Sequence, residues 1–248
     1  MSDEPQSADG DVDTFAGMRS LRDGYVAVVV GSTGGLGSAM IDVLRSDSRC
    51  GTVIGLSRST GLDLLEESSI EQASVAVGAL HGEIDLLFIA TGILNVPGLD
   101  PERSMRSWTS ASLLGVFAVN TVGPALVLKH FLPLLRSGTR SVCGVASARL
   151  GSIGENGLGG WVSYRVSKSG LNQVVRTASI ELGRRCGLSV VAGYHPGTLA
   201  TGFSAGRGAG LARRDPGVAA RLCLGSLDVL PVGSSGGFFD AFGGSIAF

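Results

Sequence analysis

The chain has 248 residues, 44% of them hydrophobic and 17% charged, with a formal net charge of −1. This size and composition suit one large domain or two small ones, each able to bury a core. The near-zero charge gives no electrostatic basis for binding nucleic acid or an anionic membrane, and the 39 glycines follow no period, which excludes a collagen-like rod.

Residues 1–23 carry five acids, Asp3, Glu4, Asp9, Asp11 and Asp13, before the first basic residue, Arg19, and read as a flexible extension. The start lacks the basic flank and apolar run of a signal peptide. No stretch approaches the ~18 consecutive apolar residues that a membrane span requires, so the expected location is the cytosol. A strand is predicted over Tyr25–Val30. It runs into Gly31-Ser-Thr-Gly-Gly-Leu-Gly37 and a helical pattern from Ser38 to Ser46. A second strand covers Thr52–Ser57, and Asp63 sits on a short third segment. A helix is expected over 69–80, and a fourth strand over Ile84–Ala90 ending at Thr91-Gly92. A long helix within 108–135, broken early, precedes a fifth strand over Arg140–Ser147. A glycine-rich loop, 151–160, leads into the helix carrying Tyr164. Leu188–Tyr194 and Gly237–Asp240 complete the set. Strands made of near-continuous Val, Ile, Leu and Ala runs suit a parallel sheet covered on both faces. The expected fold is α/β, a single-domain Rossmann-type doubly wound sheet of about seven strands over residues 24–248.

The four cysteines, Cys50, Cys143, Cys186 and Cys223, have no C-x-x-C spacing and read as buried free thiols in a reducing compartment. His81, His130 and His195 are scattered and form no metal-site pattern. Lys129 and His130 read as surface or interface residues, His195 as structural, and Arg213 and Arg214 as a solvated face.

Two stretches carry chemistry. Gly31, Gly35 and Gly37, with Thr33, Gly34 and Leu36 between them, follow the first strand and open a helix. Glycine lets the backbone turn sharply and approach a pyrophosphate, and the helix N-terminus supplies N–H groups and a positive dipole end. The spacing is G-x-x-x-G-x-G rather than the commoner G-x-G-x-x-G. An acid at the end of the second strand would bond the ribose hydroxyl of NAD. This chain has Ser57-Arg58 there, which suits a 2′-phosphate, so NADP(H) is the expected cofactor. The second stretch is Tyr164-Arg-Val-Ser-Lys168. Its tyrosine and lysine lie one turn apart on a helix face. A nearby ammonium favours the phenolate and pulls a phenol that titrates near ~10 toward the working range.

In sequence order and spacing these stretches, with Asp63, Ala90-Thr-Gly92, Asn120, a serine near 147 and Pro196-Gly197, resemble the short-chain dehydrogenase/reductase family over about residues 24 to 248. Gly-Ser-Ile at 151–153, Gly-Gly at 159–160 and the Tyr164 stretch resemble its subgroup of C-factor and sniffer-type carbonyl reductases. The resemblance implies Tyr164 as general acid, Lys168 as the group that tunes it and binds the nicotinamide ribose, and Asn120 as holder of a water linked to Lys168. It implies Asp63 at the adenine, Ala90 and Gly92 beside the adenosine ribose, Pro196, Gly197, Thr198 and Leu199 along the nicotinamide, and Thr201 near its carboxamide or the phosphates. The family serine stands thirteen residues before the tyrosine, where this chain has Gly151. Ala148 has the glycine three places on, so Ser147 is taken as the catalytic hydroxyl and Ser152 as the alternative.

The function expected is reduction of a small-molecule carbonyl by NADPH, or the reverse oxidation of an alcohol, in a homodimer. The dimer would use the helices of Asn120 and Tyr164, through apolar positions such as Leu126, Val127, Phe131 and Leu134. A second reading is an NADP-binding sensor without turnover, which a broken Tyr/Lys pair would favour. An epimerase or dehydratase would need a larger C-terminal region than the roughly fifty residues after Pro196.

Overall fold

The computed structural model describes residues 15–200 and 213–248. The strands are β1 Tyr25–Val30, β2 Cys50–Leu56, β3 Leu86–Ile89, β4 Ser141–Ala146, β5 Ser189–His195 and β6 Phe238–Asp240. All pair in parallel in the order β2-β1-β3-β4-β5-β6. The helices are α1 Gly35–Ser46, α2 Glu67–His81, α3 Ser110–Phe117, α4 Gly123–Phe131, α5 Val162–Arg185 and α6 Pro216–Val229.

Alternation along each strand builds two cores. Ala27, Val29, Leu86, Phe88, Val190 and Ala192 face α1 and α6, whereas Val28, Val30, Leu87, Ile89, Val145 and Val191 face α2, α4 and α5. Every residue of β1 is buried, which is why its sequence is apolar without alternation. Burying each such side chain contributes roughly 1.5–3 kcal/mol before the entropy of ordering the chain is set against it.

Chain order reverses between β1 and β3, since β1 leads to β2 on one side and β3 onward lies on the other. Ligands of open α/β sheets bind at the carboxyl ends of the strands beside such a switch. The loops that follow β1 and β3 here are Gly31–Gly34 and Ala90–Gly92.

Two expectations are corrected. Six strands are present among the described residues, not about seven, because the Asp63 segment is a turn. Asp63 Oδ1 accepts from the Leu65 amide at 2.9 Å, and its own amide donates to Ser69 Oγ at 2.9 Å, so its backbone is committed locally. Residues 15–23 are docked rather than free. Met18 and Leu21 join the core, the Met18 amide bonds Asp47, and the Arg19 and Ser20 amides bond Asp228. The long helix is interrupted between α3 and α4 by a π-turn, Ala118–Val122. The whole run Ser110–Leu134 is long and apolar enough by composition to cross a membrane. In the fold, its Val127, Leu128 and Phe131 pack on the sheet.

Candidate active site

The loop after β1 is tight because glycine is needed in it. Gly31 has φ +88°, and a Cβ on Gly37 would lie 2.1 Å from the Gly31 carbonyl oxygen. Gly34, the N-cap of α1, offers no side chain to the first turn, and Thr33, Gly34 and Gly35 are exposed while Leu36 and Gly37 are buried. The first-turn amides of α1 are thus open to an anion. Thr91 lies beside this loop, its Cγ2 2.7 Å from where a Gly31 Cβ would be. Its Oγ1 is buried with no hydrogen-bond partner among the described residues. These features fit a dinucleotide.

At the end of β2, Ser57 is buried and caps a 3-10 turn over Arg58–Thr60. Its amide donates to Thr60 Oγ1 at 2.9 Å, and its hydroxyl pairs with Ser59 Oγ at 2.8 Å. Arg58 is exposed on that turn and has no ion pair among the described residues. Asp63 is half-buried beyond it.

Tyr164 and Lys168 stand on the first turns of α5, 7% and 3% exposed. Lys168 Nζ donates to the Ala146 carbonyl at 2.8 Å and lies 5.9 Å from the centre of the Tyr164 ring. A Cβ on Gly92 would sit 3.3 Å from Lys168 Nζ and 3.4 Å from Asn120 Oδ1. The loop after β3, the π-turn and α5 therefore converge on one point, where a side chain at position 92 would crowd both groups. Burial alone lowers the Lys168 ammonium to about 7 and pushes the Tyr164 phenol up. This corrects the expectation that Lys168 draws Tyr164 into the working range. In the protein without ligand, desolvation disfavours both charged forms and outweighs their attraction.

Asn120 is fully buried in the π-turn. Its Oδ1 accepts from the Ile93 amide at 2.8 Å, and its Nδ2 donates to the Ile93 carbonyl at 2.7 Å and to Ser167 Oγ at 3.0 Å. Ser167 Oγ in turn donates to the Tyr164 carbonyl at 2.7 Å, and Thr121 Oγ1 donates to the Ser167 carbonyl at 2.7 Å. Asn120 thus ties the loop after β3 to the helix of Tyr164. π-turns gather at functional sites because one extra residue re-aims a side chain. Ser167 and Thr121 were missed in the sequence, where a hydroxyl on a helix carries no signal of its partner.

Among the described residues, both candidate serines have hydrogen-bond partners other than Tyr164. Ser147 Oγ donates to Asn172 Oδ1 at 2.6 Å, on the α5 side of the sheet, and Ser152 Oγ accepts from the Glu155 amide at 3.1 Å. Neither is hydrogen-bonded to Tyr164. Ala148 packs with Tyr164 and Leu94 in a small apolar cluster.

Pro196–Leu199 follow β5. Arg214 holds this strap, donating from Nη1 to the Pro196 carbonyl at 3.0 Å and from its amide to the Thr198 carbonyl at 2.8 Å. Its guanidinium also lies 5.0 Å from the centre of the Phe242 ring. Arg214 is a fastening rather than a solvated face, and Thr201 lies outside the described residues. Burial, with Arg149 and Arg214 nearby, lowers His195 to about 4.

A family model described as enoyl-(acyl carrier protein) reductase matches residues 48–210. The 1-hydroxy-2-glutathionyl-2-methyl-3-butene dehydrogenase of a Rhodococcus species is 29% identical over 150 residues, 59% of this chain and 61% of that protein. The C-signal of Myxococcus xanthus is 35% identical over 130 residues, 52% of this chain and 75% of that one. The match thus spans about three fifths of the Rhodococcus relative's length. Among solved structures, the carbonyl reductase Sniffer of Drosophila melanogaster superposes with a TM-score of 0.77 at 21% identity, over 91% of this chain and 99% of that one. An NADPH-bound carbonyl reductase from chicken fatty liver gives 0.77 at 22%, over 92% and 95%. The chain belongs to the short-chain dehydrogenase/reductase family.

Proposed function

We propose that this protein is an NADPH-dependent oxidoreductase that reduces a small-molecule carbonyl to an alcohol, or runs the reverse reaction. The observation that carries the reading is the buried Tyr164–Lys168 pair beside Gly92, at the carboxyl ends of the strands and across the switch point from the Gly31–Gly37 cradle. The chicken structure named for bound NADPH and carbonyl reduction supports it.

The first-turn amides of α1 would take the pyrophosphate, and Arg58 the 2′-phosphate. The nicotinamide, when bound, supplies a hydride. Tyr164 is buried and kept protonated at neutral pH, so its hydroxyl can give a proton to the alkoxide that develops on the reduced carbonyl. Lys168, lowered to about 7 by burial, can exchange a proton with water near neutrality and restore the phenol. Its ammonium also places a positive charge where negative charge develops. Asn120 and Ser167 hold this helix against the loop after β3, which keeps the two groups in register.

The paired copy would cover α3 and α5, where Leu114, Val166 and Ile180 stay exposed. Of the apolar positions named above, Val127 and Phe131 are buried in the core and Leu126 and Leu134 are half-buried against it, which leaves more apolar surface on α3 and α5. Free thiols, three of the four buried, suit a reducing compartment such as the cytosol.

The test is NADPH oxidation followed at micromolar enzyme with aldehydes, quinones, ketosteroids and ketoacyl thioesters. Tyr164→Phe should lower turnover by about 10²–10⁴-fold with unchanged NADPH affinity. Near-native activity of that variant refutes the mechanism. NADPH binding without turnover of any substrate points to a sensor instead.

A further inference from the structure

Glu102 is a buried carboxylate that the proton chemistry above does not use. It lies on the irregular segment between β3 and α3 and is 3% exposed. Its carboxylate accepts from the Ser163 hydroxyl, and its Oε2 accepts from the Ser163 amide at 3.4 Å. Its backbone carbonyl accepts from the Trp161 amide at 2.6 Å. The Ser112 side chain, in the first turn of α3, also favours the charged carboxylate. Ser112 and Ser163 are both buried. One residue of the loop between β3 and α3 therefore holds the N-terminal turn of α5.

The turn it grips is unusual. Gly159, Gly160 and Trp161 follow one another at φ +66°, +69° and +51°, and Trp161 is the single non-glycine residue at positive φ among the described residues. Such a run persists only where its surroundings impose it. Trp161, the N-cap of α5, gives the helix no side-chain cap. The cap comes instead from Glu102, sixty-one positions away in sequence from Ser163. On the other side Arg165 closes the clamp, donating to the Gly160 carbonyl at 3.0 Å, the Gly159 carbonyl at 3.1 Å and the Leu150 carbonyl at 3.3 Å. Burial raises the Glu102 carboxyl, but the bonds from Ser163, its own backbone amide and Ser112 outweigh it and leave the group lowered, hence charged. A negative charge at the N-terminus of a 24-residue helix is favourable. Tyr164 is the residue directly after the one gripped.

We infer that Glu102 is the positioning residue of Tyr164: it fixes the first turn of α5 and couples the loop between β3 and α3 to the placement of the phenol. The inference rests on the reductase reading for its kinetic consequence, though not for the clamp. A misplacement near 1 Å at the reacting atom can cost about 10²-fold in rate.

The experiment compares Glu102→Ala, Glu102→Gln and Ser163→Ala in the full chain. Glu102→Ala should lower kcat at least about tenfold, with NADPH affinity within about threefold, because the residue touches nothing in the Gly31–Gly37 cradle. Glu102→Gln keeps an oxygen acceptor for Ser163 and should recover most of the lost kcat. Ser163→Ala removes one hydroxyl, folds in any case, and should lower kcat in the same sense. Independently of activity, hydrogen exchange of the amides of residues 161–164 should quicken in Glu102→Ala and Ser163→Ala while those of β1 and α1 do not change. Unchanged kcat, an equal loss of NADPH affinity, or unchanged exchange at 161–164 in Ser163→Ala overturns the inference. If the native protein turns over nothing, the reductase reading fails, and the exchange measurement still decides the clamp.

Discussion

Lys168 Nζ donates to the carbonyl of Ala146 at 2.8 Å, so the residue one turn beyond Tyr164 is fastened to the last residue of β4. The bond fixes where the ammonium sits and keeps it out of water. Function at this position therefore works against stability.

The unfolded chain holds the Lys168 proton up to about 10.5, while the folded, ligand-free protein releases it near 7. Between those values the unfolded state binds more protons, so this residue makes stability rise with pH across that window. Tyr164 has the opposite effect above ~10, where the unfolded phenol ionises and the buried one does not. Lys168→Met should therefore be more stable than the native protein at pH 7 by a few kcal/mol, the gain shrinking toward pH 9.5, and should be inactive. Thermal melts of both proteins at pH 7 and 9.5 check this. A lower melting temperature for Lys168→Met at pH 7 would show that the bond to Ala146 outweighs the desolvation.

Arg58 is exposed and without an ion pair, beside the buried Ser57. Removing a charge-assisted contact to phosphate costs about 1.5–3 kcal/mol, roughly tenfold to over a hundredfold in affinity. Arg58→Ala should lose that much NADPH affinity and little NADH affinity, as read by fluorescence titration of both. An unchanged preference removes Arg58 from the phosphate site.

Ser147→Ala strips Asn172 of its one hydrogen-bonded donor and should cost about 1–3 kcal/mol in stability while leaving kcat near native. Ala148→Ser places a hydroxyl in the cluster with Tyr164 and should raise kcat several-fold. Steady-state kinetics with parallel urea denaturation separates the two effects. A fall in kcat with native stability in Ser147→Ala restores Ser147 as the catalytic hydroxyl, and the same result in Ser152→Ala favours Ser152.

Light scattering should give about twice the monomer mass of 25.2 kDa at micromolar concentration. Leu114 and Ile180 are 70% and 46% exposed, and charging either with glutamate should yield monomers that keep their fold. A native monomer ends the dimer proposal.

Much of this was readable in the residues. The β1–Gly31–α1 unit and the Tyr164–Lys168 pair are local, and short-range spacing encodes them. The break in the long helix was foreseen, though not its π-turn, since hydrogen-bond register leaves no mark in residue type. Glu102 was invisible because its partners stand sixty-one positions downstream. Leu126, Val127, Phe131 and Leu134 looked like surplus apolar surface only because the depth of α4 in the fold is a tertiary property.

The π-turn at Ala118–Val122 also sets how this helix can be edited. Deleting one residue within it, such as Val119, would remove the wide turn, while Pro124, with no amide hydrogen to donate, would still interrupt the hydrogen-bond ladder. The same edit would rotate everything on one side by about 100° relative to the other. Either the Asn120 amide swings away from Ile93 or Val127 and Phe131 leave the sheet. The extra residue marks where the chain gives up helical regularity to keep two faces aimed at once.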